Sequence, residues 1–232
     1  MSRAALVTGA SRGLGAALCT QLAAEGWQVL GLSRSGPVQV DLADGAALAA
    51  WLATGQLASF VGQAREVLLI NNAGTVTPVG PSPALAAADV TAAVHLNVTA
   101  ALVLTTAVLS ARRPGVPATI VHVSSGAGRR PVAEWATYCA TKAALDAHAA
   151  ALAAEQLPGV RVGSIAPGVV DTAMQETLRA SDFPDRERFT QLHATGGLTS
   201  PAAAATALLA LARRPDFGTQ PVCDVRDTAR PH

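Results

Sequence analysis

Residues 138–142 read YCATK and place the chain's single tyrosine, Tyr138, four positions before a lysine, Lys142. On a helix that spacing sets both side chains on one face. A phenol in water titrates near ~10 and is a poor proton carrier at neutral pH. An ammonium beside it favours the phenolate, so the pair predicts a tyrosine whose pKa falls toward the working range of a general acid–base group. A half-buried helical tyrosine touching a surface lysine would show the same spacing without any chemistry.

A second chemical signal lies near the start of the chain. TGASRGLG (8–15) follows a short apolar run and opens an alanine- and leucine-rich segment. Gly9, Gly13 and Gly15 let the backbone turn tightly and approach a pyrophosphate, and a helix beginning there offers it free N–H groups and a positive dipole end. The spacing is G-x-x-x-G-x-G, not the commoner G-x-G-x-x-G. Ser11, Arg12 and Leu14 complete the turn as cofactor contacts. A site preferring NAD carries an acid at the end of the second strand. Here that end reads GLSRS, with Arg34 and no carboxylate. Arg34 and Arg12 converge where the acid is missing and could clamp a 2′-phosphate, which selects NADPH/NADP+.

Other reactive residues read less strongly. His122 and Ser124 suggest a hydrolase, but the chain has no G-x-S-x-G elbow. Strand alternation sends His122 and Ser124 to one face and Ser125 to the other. His95 reads as a packed helix residue and Cys139 as packing, and no metal ligand set is evident. Trp135, three residues before Tyr138, lines a pocket or fills the core.

These groups need a scaffold. The chain has 232 residues, half of them hydrophobic and 14% charged, below the usual quarter. That excess of apolar residues suits a parallel sheet buried on both faces. A net charge of +1 gives no basic excess, so no nucleic-acid partner is expected. The three cysteines, Cys19, Cys139 and Cys223, are scattered, which fits a reducing, cytoplasmic setting. The four apolar residues after Arg3 fall short of a signal peptide's apolar region. VTAALVLTTAVL (98–109) is too short to span a bilayer, so a soluble protein without a membrane partner is expected.

Strands are expected at 4–9, 27–33, 38–42, 66–74, 118–125, 160–168 and 221–225. Helices are expected at 13–26, 45–62 with a possible break at Gly55, 85–111, 133–157 and about 200–213. The alternation predicts a Rossmann-type α/β fold: one doubly wound parallel sheet with helices on both faces, in a single domain over 1–232.

TGASRGLG, NNAG (71–74), Asn97 in the following helix, VSSGAG (123–128), YCATK and PGVVDT (167–172) occur in the order and spacing of the short-chain dehydrogenase/reductases, a resemblance covering nearly the whole chain. In that family a serine lies thirteen residues before the tyrosine, which selects Ser125. The resemblance implies a catalytic tetrad of Asn97, Ser125, Tyr138 and Lys142. Tyr138 would protonate a carbonyl oxygen as hydride reaches its carbon, and Ser125 would hold that oxygen. Lys142 would also hold the nicotinamide ribose, and Asn97 a proton-relaying water. Asp41 and Leu42 would meet the adenine, Asp41 being alternatively the cap of the next helix. Asn71, Asn72, Ala73 and Gly74 would precede and flank the adenosine ribose. Pro167, Gly168 and Val170 would shape the turn before Thr172, which would hold the nicotinamide carboxamide.

Only SRSGP joins the second and third strands, where the family usually has a helix, and the chain's end lacks the glycine-rich tail of many relatives. A homodimer is therefore expected rather than a tetramer. SIAPGVVDTAMQETLR (164–179) resembles the benzil and sepiapterin reductase branch, which implies an aromatic or dicarbonyl substrate under a variable lid at about 173–197. The leading expectation is NADPH-dependent reduction of a ketone or diketone. The alternatives are a 3-oxoacyl-carrier-protein reductase, which needs a basic docking patch such as Arg129 and Arg130 near the pocket, and a non-catalytic NADP-sensing regulator.

Overall fold

The protein is described by a computed structural model covering residues 2–227. The expected domain of 1–232, and the end of the tail comparison, reach beyond those residues. Seven strands form one parallel sheet: β1 (Arg3–Thr8), β2 (Gln28–Ser33), β3 (Val38–Gln39), β4 (Glu66–Asn71), β5 (Ala118–Val123), β6 (Val160–Ala166) and β7 (Val222–Asp224). Their order is β3-β2-β1-β4-β5-β6-β7, every neighbouring pair parallel. The winding reverses between β1 and β4, which opens a crevice at their C-terminal ends where ligands of such sheets bind.

Apolar side chains alternate between two cores. Ala4 and Leu6 of β1, with Leu69 and Ile120, face helices α2 (Gly45–Ala53), α3 (Gln56–Gly62), α5 (Ala100–Ala111) and α6 (Ala136–Ala154). Ala5 and Val7, with Ile70 and Val121, face α1 (Gly13–Ala24) and α9 (Pro201–Arg213). Both faces being buried explains why the strands read as apolar runs.

The possible break at Gly55 is present: the helix over 45–62 is divided there, with Gly55 left-handed at φ 75° between α2 and α3. Three other boundaries depart from the sequence reading. β3 stops at Gln39, so Asp41 and Leu42 lie in the loop beyond it. The helix after β4 starts at Ala87 as α4 (Ala87–Val94), passes through a π segment at His95–Thr99 and continues as α5. Counted together these make 25 residues, apolar enough to cross a bilayer. That exceeds the apolar stretch read from sequence, yet Asn97, Leu104 and Val108 are buried within the fold, as in a core helix. Finally, the expected loop after β6 contains two helices, α7 (Ala173–Ala180) and α8 (Arg186–Ala194).

Candidate active site

The glycine turn is dictated by contacts within the chain. A Cβ on Gly15 would sit 2.1 Å from the Gly9 carbonyl oxygen, so only glycine fits beneath the turn. Gly13 has φ +54° and approaches Thr172, whose Cγ2 would lie 3.1 Å from a Cβ there. Arg12 is the N-cap of α1; among the described residues no side chain caps this end, and its first turn holds no acid. Free N–H groups and the positive dipole end thus face outward into the crevice, the arrangement that receives a phosphate. Thr8 Oγ1 accepts from the backbone N–H groups of Asn72 and Ala73, both at 2.9 Å, fastening the NNAG segment beside the turn. Asn71 points elsewhere: it is buried against Thr105 and His122 and does not line the cavity.

At the end of the cavity nearest β2, Arg12 and Arg34 are both exposed on its rim. Asp41 accepts from the Ala43 N–H at 2.9 Å. The cap of α2 is Asp44, which accepts from Ala46 and Ala47, so the capping alternative for Asp41 fails.

At the other end, β5 delivers Ser125 and α6 delivers Tyr138 and Lys142. Ser125 Oγ accepts from the Ala127 N–H at 3.2 Å and pairs with the Tyr138 hydroxyl. Gly128 allows this turn to lie on α6, since a Cβ there would meet the Lys142 backbone carbon at 2.9 Å. Tyr138 and Lys142 are 7% and 4% exposed. Lys142 Nζ donates to the Val123 oxygen at 2.7 Å and lies 5.6 Å from the tyrosine ring centre. The phenol does not become more acidic in the free protein. Burial pushes it up to about 12, outweighing the hydrogen bond from Ser125. Burial likewise pulls Lys142 down to about 8, against the opposing charge of Asp146. Removing a charge from water outweighs the neighbouring cation, so the tyrosine holds its proton at neutral pH.

Asn97, like Asn71, does not line the cavity, whereas the other predicted residues do. It is 1% exposed, behind Gly74. Its amide nitrogen donates to Thr75 O at 2.8 Å and Thr141 Oγ1 at 3.0 Å, and its oxygen accepts from the Thr75 N–H. The amide therefore ties the loop after β4 to α6. Asn97 lies within the π turn, a feature frequent at functional sites.

The cavity joining these groups has a volume of about 1490 Å³, room for a dinucleotide and a second molecule. Its outer wall is aromatic. Trp135 meets Tyr138 edge-on at 5.7 Å and packs against Phe183 and Phe189 at 5.4 and 5.3 Å. Trp135 thus lines the pocket and fills a small core at once. Sequence reasoning missed Met174, Gln175, Leu178 and Phe189 in this wall because the segment was read as loop. Met174 and Leu178, at i and i+4, were the available signal for an amphipathic helix.

The alternatives find little support. His122 Nε2 pairs with His148 at 3.0 Å, and Ser124 Oγ has no hydrogen-bond partner among the described residues, so no histidine activates it. Among the described residues no group of His, Cys, Asp and Glu could hold a metal. Arg129 lies 3.7 Å from Asp146, and Arg226 is paired with Asp224 beside Arg130. Arg129 and Arg226, at the edge of the pocket, therefore each face a carboxylate.

A family profile described as short chain dehydrogenase matches residues 3–182. The chain is 31% identical to a benzil reductase ((S)-benzoin forming) of Bacillus cereus, over 93% of this chain and 96% of that one. It is 37% identical to sepiapterin reductase of Rattus norvegicus, over 91% and 92%. Among solved structures, a short-chain dehydrogenase/reductase from Burkholderia vietnamiensis is 42% identical with TM-score 0.70, over 97% and 98% of the chains. A short chain dehydrogenase from Burkholderia cenocepacia in complex with NADP is 26% identical with TM-score 0.76, over 94% of each.

Proposed function

The chain belongs to the short-chain dehydrogenase/reductase family and is an oxidoreductase, and on that footing we propose that it reduces a ketone or diketone carbonyl to the alcohol with NADPH. The reading is carried by one observation: the Tyr138 hydroxyl, bonded to Ser125 and flanked by buried Lys142, lies in the same cavity as the uncapped start of α1.

The residues present fit the cofactor. The open N–H groups of α1 and the glycine turn would take the pyrophosphate, and Arg12 and Arg34 the 2′-phosphate. Asp41 and Leu42 would meet the adenine, Asn72, Ala73 and Gly74 the adenosine ribose, and Thr172, after Pro167, Gly168 and Val170, the carboxamide. When bound, NADPH supplies the hydride to the carbonyl carbon. Ser125 holds the carbonyl oxygen and stabilises its developing charge. Tyr138, fully protonated at neutral pH, gives that oxygen its proton. The phenolate left behind is stabilised by the Lys142 ammonium until a proton returns from solvent. The aromatic wall excludes water and favours an aryl-bearing substrate, in keeping with the benzil and sepiapterin reductases named above.

Mixing the protein with NADPH and a panel of aromatic and aliphatic diketones, and following the nicotinamide absorbance, tests this. Consumption of NADPH with a diketone is expected. Tight NADPH binding without turnover of any carbonyl would point to the sensor instead.

A further inference from the structure

We infer that Asp146 is a positioning residue for this reaction: its buried carboxylate, one turn beyond Lys142 on α6, keeps the lysine in its ammonium form beside Tyr138. The inference rests on the reading of Tyr138 and Lys142 given above.

Tyr138, Lys142 and Asp146 follow one another at i, i+4 and i+8 along the buried side of α6. Asp146 is only 7% exposed. Aspartate in a helix interior is unfavourable, and a buried carboxylate is rarer still unless it is paired. This one is held firmly. Ser164 Oγ, fully buried in β6, donates to Asp146 Oδ1 at 2.6 Å. Asp146 Oδ2 has no hydrogen bond among the described residues and lies 3.7 Å from Arg129 Nε.

Arg129 thus approaches the carboxylate from the surface, and Lys142, one turn back on the same buried side of α6, feels its charge. The other titratable groups around the lysine are neutral near pH 7. His122 of β5 is held down to about 3, and Tyr138 is pushed up to about 12. Cys223 of β7, beside Asp146, is pushed up to about 11. Among the described residues Asp146 supplies the negative charge that Lys142 feels, opposing the burial that would strip its proton. A neutral lysine could not stabilise the phenolate formed when Tyr138 gives up its proton.

A purely structural role, pinning α6 to β6 through Ser164, predicts something different. The test follows the Lys142 side-chain CεH₂ resonance by NMR against pH in cofactor-free protein, assigned by its loss in Lys142→Met. Asp146→Asn is expected to lower the midpoint by about one unit or more, and Asp146→Glu to restore most of it. Arg129→Met, at a partly exposed residue, is expected to raise it. The alkaline limb of kcat for carbonyl reduction should move with each midpoint. Midpoints unmoved in both Asp146→Asn and Arg129→Met would overturn the inference and leave Asp146 a structural pin. If Asp146→Asn does not fold, the direction of the shift in Arg129→Met decides alone. Wild-type inactivity toward every carbonyl, with the shifts as expected, would instead overturn the reductase reading and leave only the charge coupling.

Discussion

Lys142 Nζ donates to the Val123 oxygen, two residues before Ser125, at 2.7 Å. The ammonium of α6 and the hydroxyl after β5 are thus referred to one strand end. Hydrogen bonds of the sheet fix that end on both sides, since β5 lies between β4 and β6. The chemistry sits on rigid elements. Arg12 and Arg34 sit on exposed positions outside the strands, so the two ends of the cavity should answer differently to mutation.

Tyr138→Phe removes the hydroxyl and keeps the ring that packs on Trp135. A positioned proton donor contributes roughly 10²–10⁴-fold, so kcat should fall by about that factor. NADPH affinity, read by fluorescence titration, should change less than about twofold. A variant retaining most of its turnover would remove the proton-donor role.

Arg34→Ala should lower the preference for NADPH over NADH. A hydrogen bond to a charged group is worth about 1.5–3 kcal/mol, which is roughly ten- to a hundredfold in relative kcat/KM. Arg34 is exposed in the free protein, so folding should be untouched. An unchanged cofactor ratio would mean that this arginine merely faces solvent.

The order of these elements was legible because glycines, apolar runs and YCATK are local signals. What stayed hidden depends on contacts between distant segments. Nothing near Asn97 announces a π turn; its amide is fixed by Thr75 and Thr141, the latter 44 positions away. The tyrosine's direction of shift was misjudged for the same reason. The neighbouring lysine is visible in sequence, whereas the burial that overrides it comes from α7, α8 and the loop after β4. Asp44 rather than Asp41 caps α2, a difference set by where β3 stops.

Acid should destabilise the fold through His122. Its side chain is fully buried, with Nδ1 paired to the Asn71 amide nitrogen at 3.1 Å and Nε2 to His148 at 3.0 Å. The amide nitrogen donates, so the imidazole must accept there and remain neutral. Burial, reinforced by His148 and Lys142, holds its pKa at about 3 against 6.5. The unfolded chain binds this proton first. Stability is therefore complete above pH 6.5 and is lost as the pH falls below it, by about 1.4 kcal/mol per unit, or about 2 kcal/mol by pH 5. His148 is shifted in the same direction. Urea unfolding at pH 7 and pH 5 should show this loss in the wild type and a smaller one in His122→Asn. Equal losses in the two proteins would sink the assignment.

The aromatic wall allows a separation of packing from recognition. Phe189 is 9% exposed and its ring lies 5.3 Å from Trp135 and 5.8 Å from Phe183. Phe189→Ala in an ordinary core would cost about 3–5 kcal/mol. Here the ring, on α8, belongs to a small cluster with Trp135 and Leu178 and itself lines the cavity, so part of its partner surface would be the substrate. An aromatic pair adds about 0.5–1.5 kcal/mol beyond area burial, so KM for an aryl diketone should rise up to roughly tenfold. KM for a small aliphatic diketone, too short to reach α8, should change less than about twofold. Cofactor affinity should not move, because the glycine turn and the arginines lie at the other end of the cavity. Equal losses for both diketones would show that Phe189 only holds the helix in place, and that the wall does not select aromatic substrates.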